Sequence, residues 1–350
     1  MGLAVGDAMG YSVDKKSWEE ICENYGPNGL LGYDLAGDYA DVSSHTQLAA
    51  FICNGILLAN TRRNTARYSE FVKKSVMEWV NSQQARINPE RNGYWVARVP
   101  AMRRRHCMDT RMLDALSRPV LGTPEKPAFI SDSPCTLTTA VAVGLCYDPE
   151  KMELSQVGRL AIEATALTHG DKVTMACSAY LAYAVALILQ EPGKPLLQHF
   201  RNAAELLSRQ FETLYPDAAD QVCNKIEHAI SLTKDGELTP FAVMTLLECT
   251  TALQCLSAAV YAALVHSGNF DEAMITSVNH SGRSGAVGAV TGAILGARLG
   301  AEALPEFYLE SLEPIETLQE LANDLTEGRE LSRIFDDSWD QKYVQGMPVN

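Results

Sequence analysis

The stretch VNHSGRSGAVGAVTGAILGARLG, residues 278–300, decides how the rest of the chain is read. It is built of Gly, Ala, Val and Ser and turns apolar towards its end, the composition of a helix whose backbone can be approached closely. Arg298, near its far end, can pass to solvent. Arg283 cannot: it places a guanidinium in the opening turn of a helix lined by glycine and alanine. A second small-residue segment opens the chain, GLAVGDAMGYSVD at 2–14. Its Gly2, Gly6 and Gly10 recur at i, i+4 and i+8 and leave one helix face bare. Asp7 sits beside that face and Asp14 follows seven residues later.

Outward from these segments the hydrophobic period is helical. Residues 45–60, 67–82, 197–212 and 217–232 read as amphipathic or core helices. MELSQVGRLAIEATALTHGD and KVTMACSAYLAYAVALILQ read as two apolar helices joined at the polar turn THGD, which carries His169 and Asp171. The longest apolar segment starts at Pro240, suited to a first helical turn, and closes at Gly268. Polar, Gly- and Pro-containing stretches at 24–43, 84–108, 118–134, 190–196 and 232–239 read as loops. No run alternates with period two over a useful length. The expected fold is all-α: one many-helix domain over 1–350 with a central cleft, and 309–350 a peripheral helix and tail strap.

Composition narrows the function. The 350 residues carry a formal charge of −14, which disfavours nucleic acid and anionic membranes as partners. The basic run Arg103–His106 reads as a solvated turn rather than a phosphate site. Nine cysteines without a C-x-x-C pair point to reduced thiols. The first ten residues lack a basic n-region and apolar h-region, so a cytoplasmic protein is expected. The apolar part of 286–299 is too short to span a bilayer.

Four segments together resemble the ADP-ribosylglycohydrolase family (the ADP-ribosyl-acceptor hydrolase and dinitrogenase-reductase-activating glycohydrolase group). GLAVGDAMG matches its N-terminal G-x-x-x-G-D-A-x-G. HTQLAAFICNGIL falls on its D-T-Q-M-A-L-A helix, and THGD on its T-H-x-x turn. From about 252 to 312 the segments keep the family's order. The resemblance implies cleavage of a glycosidic bond between ADP-ribose and an acceptor. It also implies two magnesium ions held by carboxylates, since hard divalent ions take oxygen ligands.

The chain departs from the family at those carboxylates. The family's T-D-D-T falls on Ser43, Ser44, His45 and Thr46. Its G-G-D-x-D-[ST] falls on Ser281, Gly282, Arg283, Ser284, Gly285 and Ala286. Ser44, His45, Arg283 and Gly285 thus stand where the family's four ligand aspartates would be. A guanidinium also repels a cation, by about 4 kcal/mol per unit charge at about 4 Å and an effective dielectric near 20, and roughly double for a divalent ion. No cofactor is expected, and no magnesium in the family's manner.

What remains is a candidate pseudoenzyme that binds an ADP-ribose-like or other nucleotide or ribosyl ligand. Its ligand contacts would come from Asp7, Ser43, Ser44, Ser133, His169, Arg283 and Ser284. Asp7 has a competing role, bonding backbone at helix ends. Arg283 would pair with Asp7, Asp14 or Asp41, or with a ligand anion. Two other readings stand beside this one. An active hydrolase of an N- or O-ribosyl bond would draw on Asp14 and His45, without metal or with a softer ion held by Asp41, His45 and His280. A structural or interaction protein would have no ligand at all. Cys135 precedes an apolar helix, where a helix N-terminus can activate a thiol, but a buried inert thiol is the commoner reading.

Overall fold

The glycine stripe of the first segment meets the small-residue helix of 284–299 face to face. In the computed structural model, which describes residues 1–62, 67–84, 93–106, 110–118, 120–212, 215–234, 237–327 and 337–343, α1 (Gly2–Tyr11) packs on a later helix, Ser284–Leu299. A Cβ placed on Gly6 would lie 1.9 Å from the carbonyl oxygen of Gly288, and one on Gly2 2.2 Å from that of Gly292. The two backbones therefore touch, and only glycine admits that approach. The pair runs antiparallel, because Gly10 at the end of α1 faces Ser284 at the start of the partner helix. The register brings the residues just after α1, including Asp14, beside the residues just before Ser284.

Around this pair the chain continues as α2 (Trp18–Tyr25), α3 (Ser44–Thr61), α4 (Tyr68–Gln83), α5 (Thr110–Leu116), α6 (Leu137–Leu145), α7 (Leu154–Ala166), α8 (Lys172–Gln190), α9 (Leu196–Phe211) and α10 (Pro216–Leu232). Then come α11 (Pro240–Leu247), α12 (Ala252–Val265), α13 (Phe270–Val278), α14 (Ser284–Leu299), α15 (Glu306–Glu310), α16 (Ile315–Glu327) and α17 (Asp337–Tyr343). Among the described residues β-pairing is confined to isolated bridges. The all-α reading holds.

Helix α8 is the hub, packed against α6, α7, α9, α10, α12 and α14. It is long and apolar enough to cross a membrane, yet 78% of its most apolar window is buried inside the fold. A helix apolar on every face belongs in such a core. The outer helices are one-sided. On α9 the buried positions Leu196, Phe200, Ala203, Leu207 and Phe211 follow the helical repeat.

The apolar run from Pro240 to Gly268 is two helices rather than one. Glu248 and Cys249 turn into the left-handed region at φ 66° and 50°, and Thr251 restarts the chain with a capping box to Gln254. The break frees the Cys249 carbonyl, which accepts the Arg283 N–H at 2.8 Å. The stretch 84–108 also holds two short 3-10 turns, Trp95–Arg98 and Pro100–Arg103. In the tail, α16 packs on α3, and α17 is anchored by Tyr343 donating to Asp324 at 2.7 Å. The strap expected after residue 327 lies partly outside the described residues, at 328–336 and 344–350.

Candidate functional site

The first segment supplies two carboxylates, and each secures a different helix N-terminus. Asp7 is fully buried. It accepts from the Ser43 N–H at 2.9 Å, the Ser43 hydroxyl at 2.6 Å, the Thr46 N–H at 3.1 Å and the Thr46 hydroxyl at 2.7 Å. Both its oxygens are thus engaged by the opening turn of α3, whose amides have no partner within the helix. Ser43 is the N-cap, and its hydroxyl accepts from the His45 N–H at 3.2 Å. The Ser44 N–H donates to the His106 carbonyl at 3.3 Å.

Asp14 does for α14 what Asp7 does for α3. Its side chain is only 3% exposed, and one oxygen accepts from the Gly285 N–H at 3.2 Å. The other lies 3.5 Å from Nε of Arg283. Of the three aspartates open to Arg283, the helix register selects Asp14. Asp7 is occupied at α3, and Asp41 pairs instead with Arg104 at 2.6 Å. Arg104 also binds Glu313, so the basic run at 103–106 clamps the 309–313 segment rather than standing free in solvent.

Arg283 spans from Asp14 to Cys135, its Nη2 donating to Sγ at 3.6 Å. Burial works against its charge, but Cys135 and Asp14 outweigh this and its pKa rises above the ordinary value. Its Nε makes no hydrogen bond, because the Asp14 contact is too long and oblique to count as one. His45 lies behind. A Cβ on Gly285 would sit 3.5 Å from the Asp14 carboxylate and 3.8 Å from the His45 ring. The Nδ1 of His45 is 3.4 Å from the Thr138 hydroxyl on α6. The starts of α3 and α14, the first turn of α6 and the residues after α1 therefore meet at one point.

Arg283 also lines an open cleft of about 560 Å³, with Lys15, Arg111, Ser131, Ser133 and Cys135 on its walls. The Ser133 hydroxyl donates to Cys135 Sγ at 3.1 Å. Other expected contacts lie elsewhere. The Ser284 hydroxyl turns back to the His280 carbonyl at 3.4 Å. His169 is fully buried, packed on Phe129 at a ring separation of 5.0 Å and 2.7 Å from the Thr168 hydroxyl. His280 is buried with its ring nitrogens 2.9 Å from the Ser281 carbonyl and 3.0 Å from that of Ser277. Asp41, His45 and His280 do not assemble, and among the described residues no group of three or more His, Cys, Asp or Glu could hold a metal ion.

Burial lowers the pKa of His45, with Asp7 and Asp14 opposing and Arg283 adding to the fall; burial likewise lowers that of His280. The unfolded chain takes up these protons from about pH 6.5 downward, the folded chain only at lower pH. Their contribution to stability is thus complete above that value and is lost as the pH falls through the window beneath it. The urea midpoint is expected to drop between pH 7 and pH 5, and the drop to shrink in His45→Gln. An undiminished drop in that variant rules out His45 as a contributor.

Lys15, Arg111 and Thr138 were not marked by the sequence. Lys15 carried one overlooked signal: it follows the aspartate that closes the glycine segment.

These features define a class: an all-helical protein with a polar cleft built where several helix N-termini converge. Residues 1–334 match the family model described as ADP-ribosylglycohydrolase, and the chain belongs to that family. It is similar to an uncharacterised protein of Archaeoglobus fulgidus, 28% identical over 338 residues that cover 93% of this chain and 94% of the other. A solved ADP-ribosylglycohydrolase-related protein complex shares the fold, with a TM-score of 0.56 at 20% identity, over 94% of this chain and 95% of that one.

Proposed function

We propose that this family member binds an ADP-ribose-like nucleotide or ribosyl ligand in its cleft without the family's two-metal catalysis. One observation carries the reading: at the position the resemblance gives to a ligand aspartate, a half-buried guanidinium lies beside Asp14. The residues at the four ligand positions do not suit magnesium. Ser44, His45, Arg283 and Gly285 offer one hydroxyl, one imidazole, one cation and no side chain, where a hard ion needs several anionic oxygens. The nearby carboxylates already cap helices. Arg283 takes over the positive charge that the ions would bring, and no step of a reaction is routed through a metal.

The hydrolase alternative would need Asp14 or His45 at a substrate. Both side chains are buried, whereas Arg283 forms the cleft surface in front of them. The eight described cysteines are free thiols, which suits a reducing, cytoplasmic setting.

The test is a release assay on arginine- and serine-linked ADP-ribosyl substrates, with magnesium and with EDTA. The expected result is no release above background in either condition. Release that requires magnesium and stops with EDTA refutes the proposal.

A further inference from the structure

Among the described residues, three cationic side chains, Lys15, Arg111 and Arg283, and a single carboxylate, Asp132, line the cleft of a chain whose net charge is −14. Such local reversal of sign is a feature of sites that concentrate anions. Two of the cations are held in unusual ways. Arg283 is mostly buried, with Nε lacking a hydrogen bond. Lys15 adopts φ 65°, a left-handed conformation that costs a residue with a side chain, and its N–H donates to the Gly282 carbonyl at 2.6 Å. That bond ties Lys15 to the turn carrying Arg283. The ammonium of Lys15 has no ion-pair partner among the described residues. The same cleft is also lined by Ser131, Ser133 and Cys135, the last in contact with the Arg283 guanidinium.

We propose that the cleft holds a phosphoryl oxyanion, a phosphate or diphosphate of its ligand, between the Arg283 guanidinium and the Lys15 ammonium. The anion would then sit beside the place the resemblance assigns to magnesium. Where the resemblance implies metal cations held by carboxylates, this chain would use a fixed guanidinium to reach phosphate. A planar guanidinium matches two phosphate oxygens at once, and the ammonium adds a point charge from the rim. The inference rests on the reading above in taking the cleft as the ligand site, and it adds which part of the ligand is recognised.

The experiment is calorimetric titration of the full chain in EDTA with inorganic pyrophosphate, ADP-ribose and adenosine. Pyrophosphate and ADP-ribose are expected to bind and adenosine is not. Both affinities should weaken as salt is raised, through screening. Lys15→Gly removes the charge and also relieves the left-handed backbone. It should weaken both phosphate ligands about tenfold, in line with the loss of a charge-assisted contact, while melting no lower than the parent chain. Arg283→Gln is expected to reduce binding further. If ADP-ribose binds equally to parent, Lys15→Gly and Arg283→Gln, the oxyanion site is wrong and the nucleotide reading survives. If pyrophosphate binds and ADP-ribose does not, the oxyanion site stands and the nucleotide reading fails. If neither binds, both are overturned.

Discussion

Gly6→Val is expected to cost on the order of 3 kcal/mol or more, much of the margin by which a domain of this kind is stable. The reason is local and severe. The first side-chain carbon would meet the Gly288 carbonyl oxygen at 1.9 Å, and neither partner is a side chain that can swing away. Relief requires α1 and α14 to separate, which would also move Asp14 from Arg283 and Gly285. Gly32→Ala is the control, since nothing lies within 4 Å of its new methyl group. It should change stability by no more than about 0.5 kcal/mol. Denaturant midpoints measure both. A Gly6→Val chain as stable as the control would mean that the close approach of α1 and α14 is not real.

Asp7→Ala ranks next. It strips the acceptor from the backbone amides of Ser43 and Thr46 and from two hydroxyls. A buried amide left without a partner costs about 1–3 kcal/mol, so the pair of amides accounts for roughly 2–6 kcal/mol. Asp7→Asn keeps one carbonyl oxygen for these donors and should fall between. Thermal melts of the three chains order them. If Asp7→Ala melts with the parent chain but loses ligand affinity, Asp7 is a ligand contact and not a cap.

Much of the fold is legible in the sequence because its signals are local. Helical periodicity marks α3, α4, α9 and α10 to within a residue or two of their observed ends. The spacing of Gly2, Gly6 and Gly10 marks a face stripped for contact. The break at Glu248–Cys249 is not legible in the same way. No glycine or proline announces it, and it is held by contacts from distant segments: the Arg283 N–H on the Cys249 carbonyl and the Ala252 N–H on that of Asp132. The polar TALQ capping box was the one available clue.

The candidate site divides along the same line. The sequence marked Arg283 as anomalous and offered three aspartates to it. Choosing among them required knowing that Asp7 caps α3, that Arg104 holds Asp41, and that the α1–α14 register delivers Asp14. Lys15 is not marked by composition, since a backbone angle and a tie to Gly282 leave no trace there.

The central claim is that Arg283, and not magnesium, supplies the positive charge in this cleft. Its most direct test is the affinity of the full chain for ADP-ribose, measured by calorimetry in EDTA and again with magnesium in excess. The expected result is binding in EDTA with a dissociation constant that magnesium leaves unchanged. Binding that appears only when magnesium is present, with uptake of the ion, would contradict it.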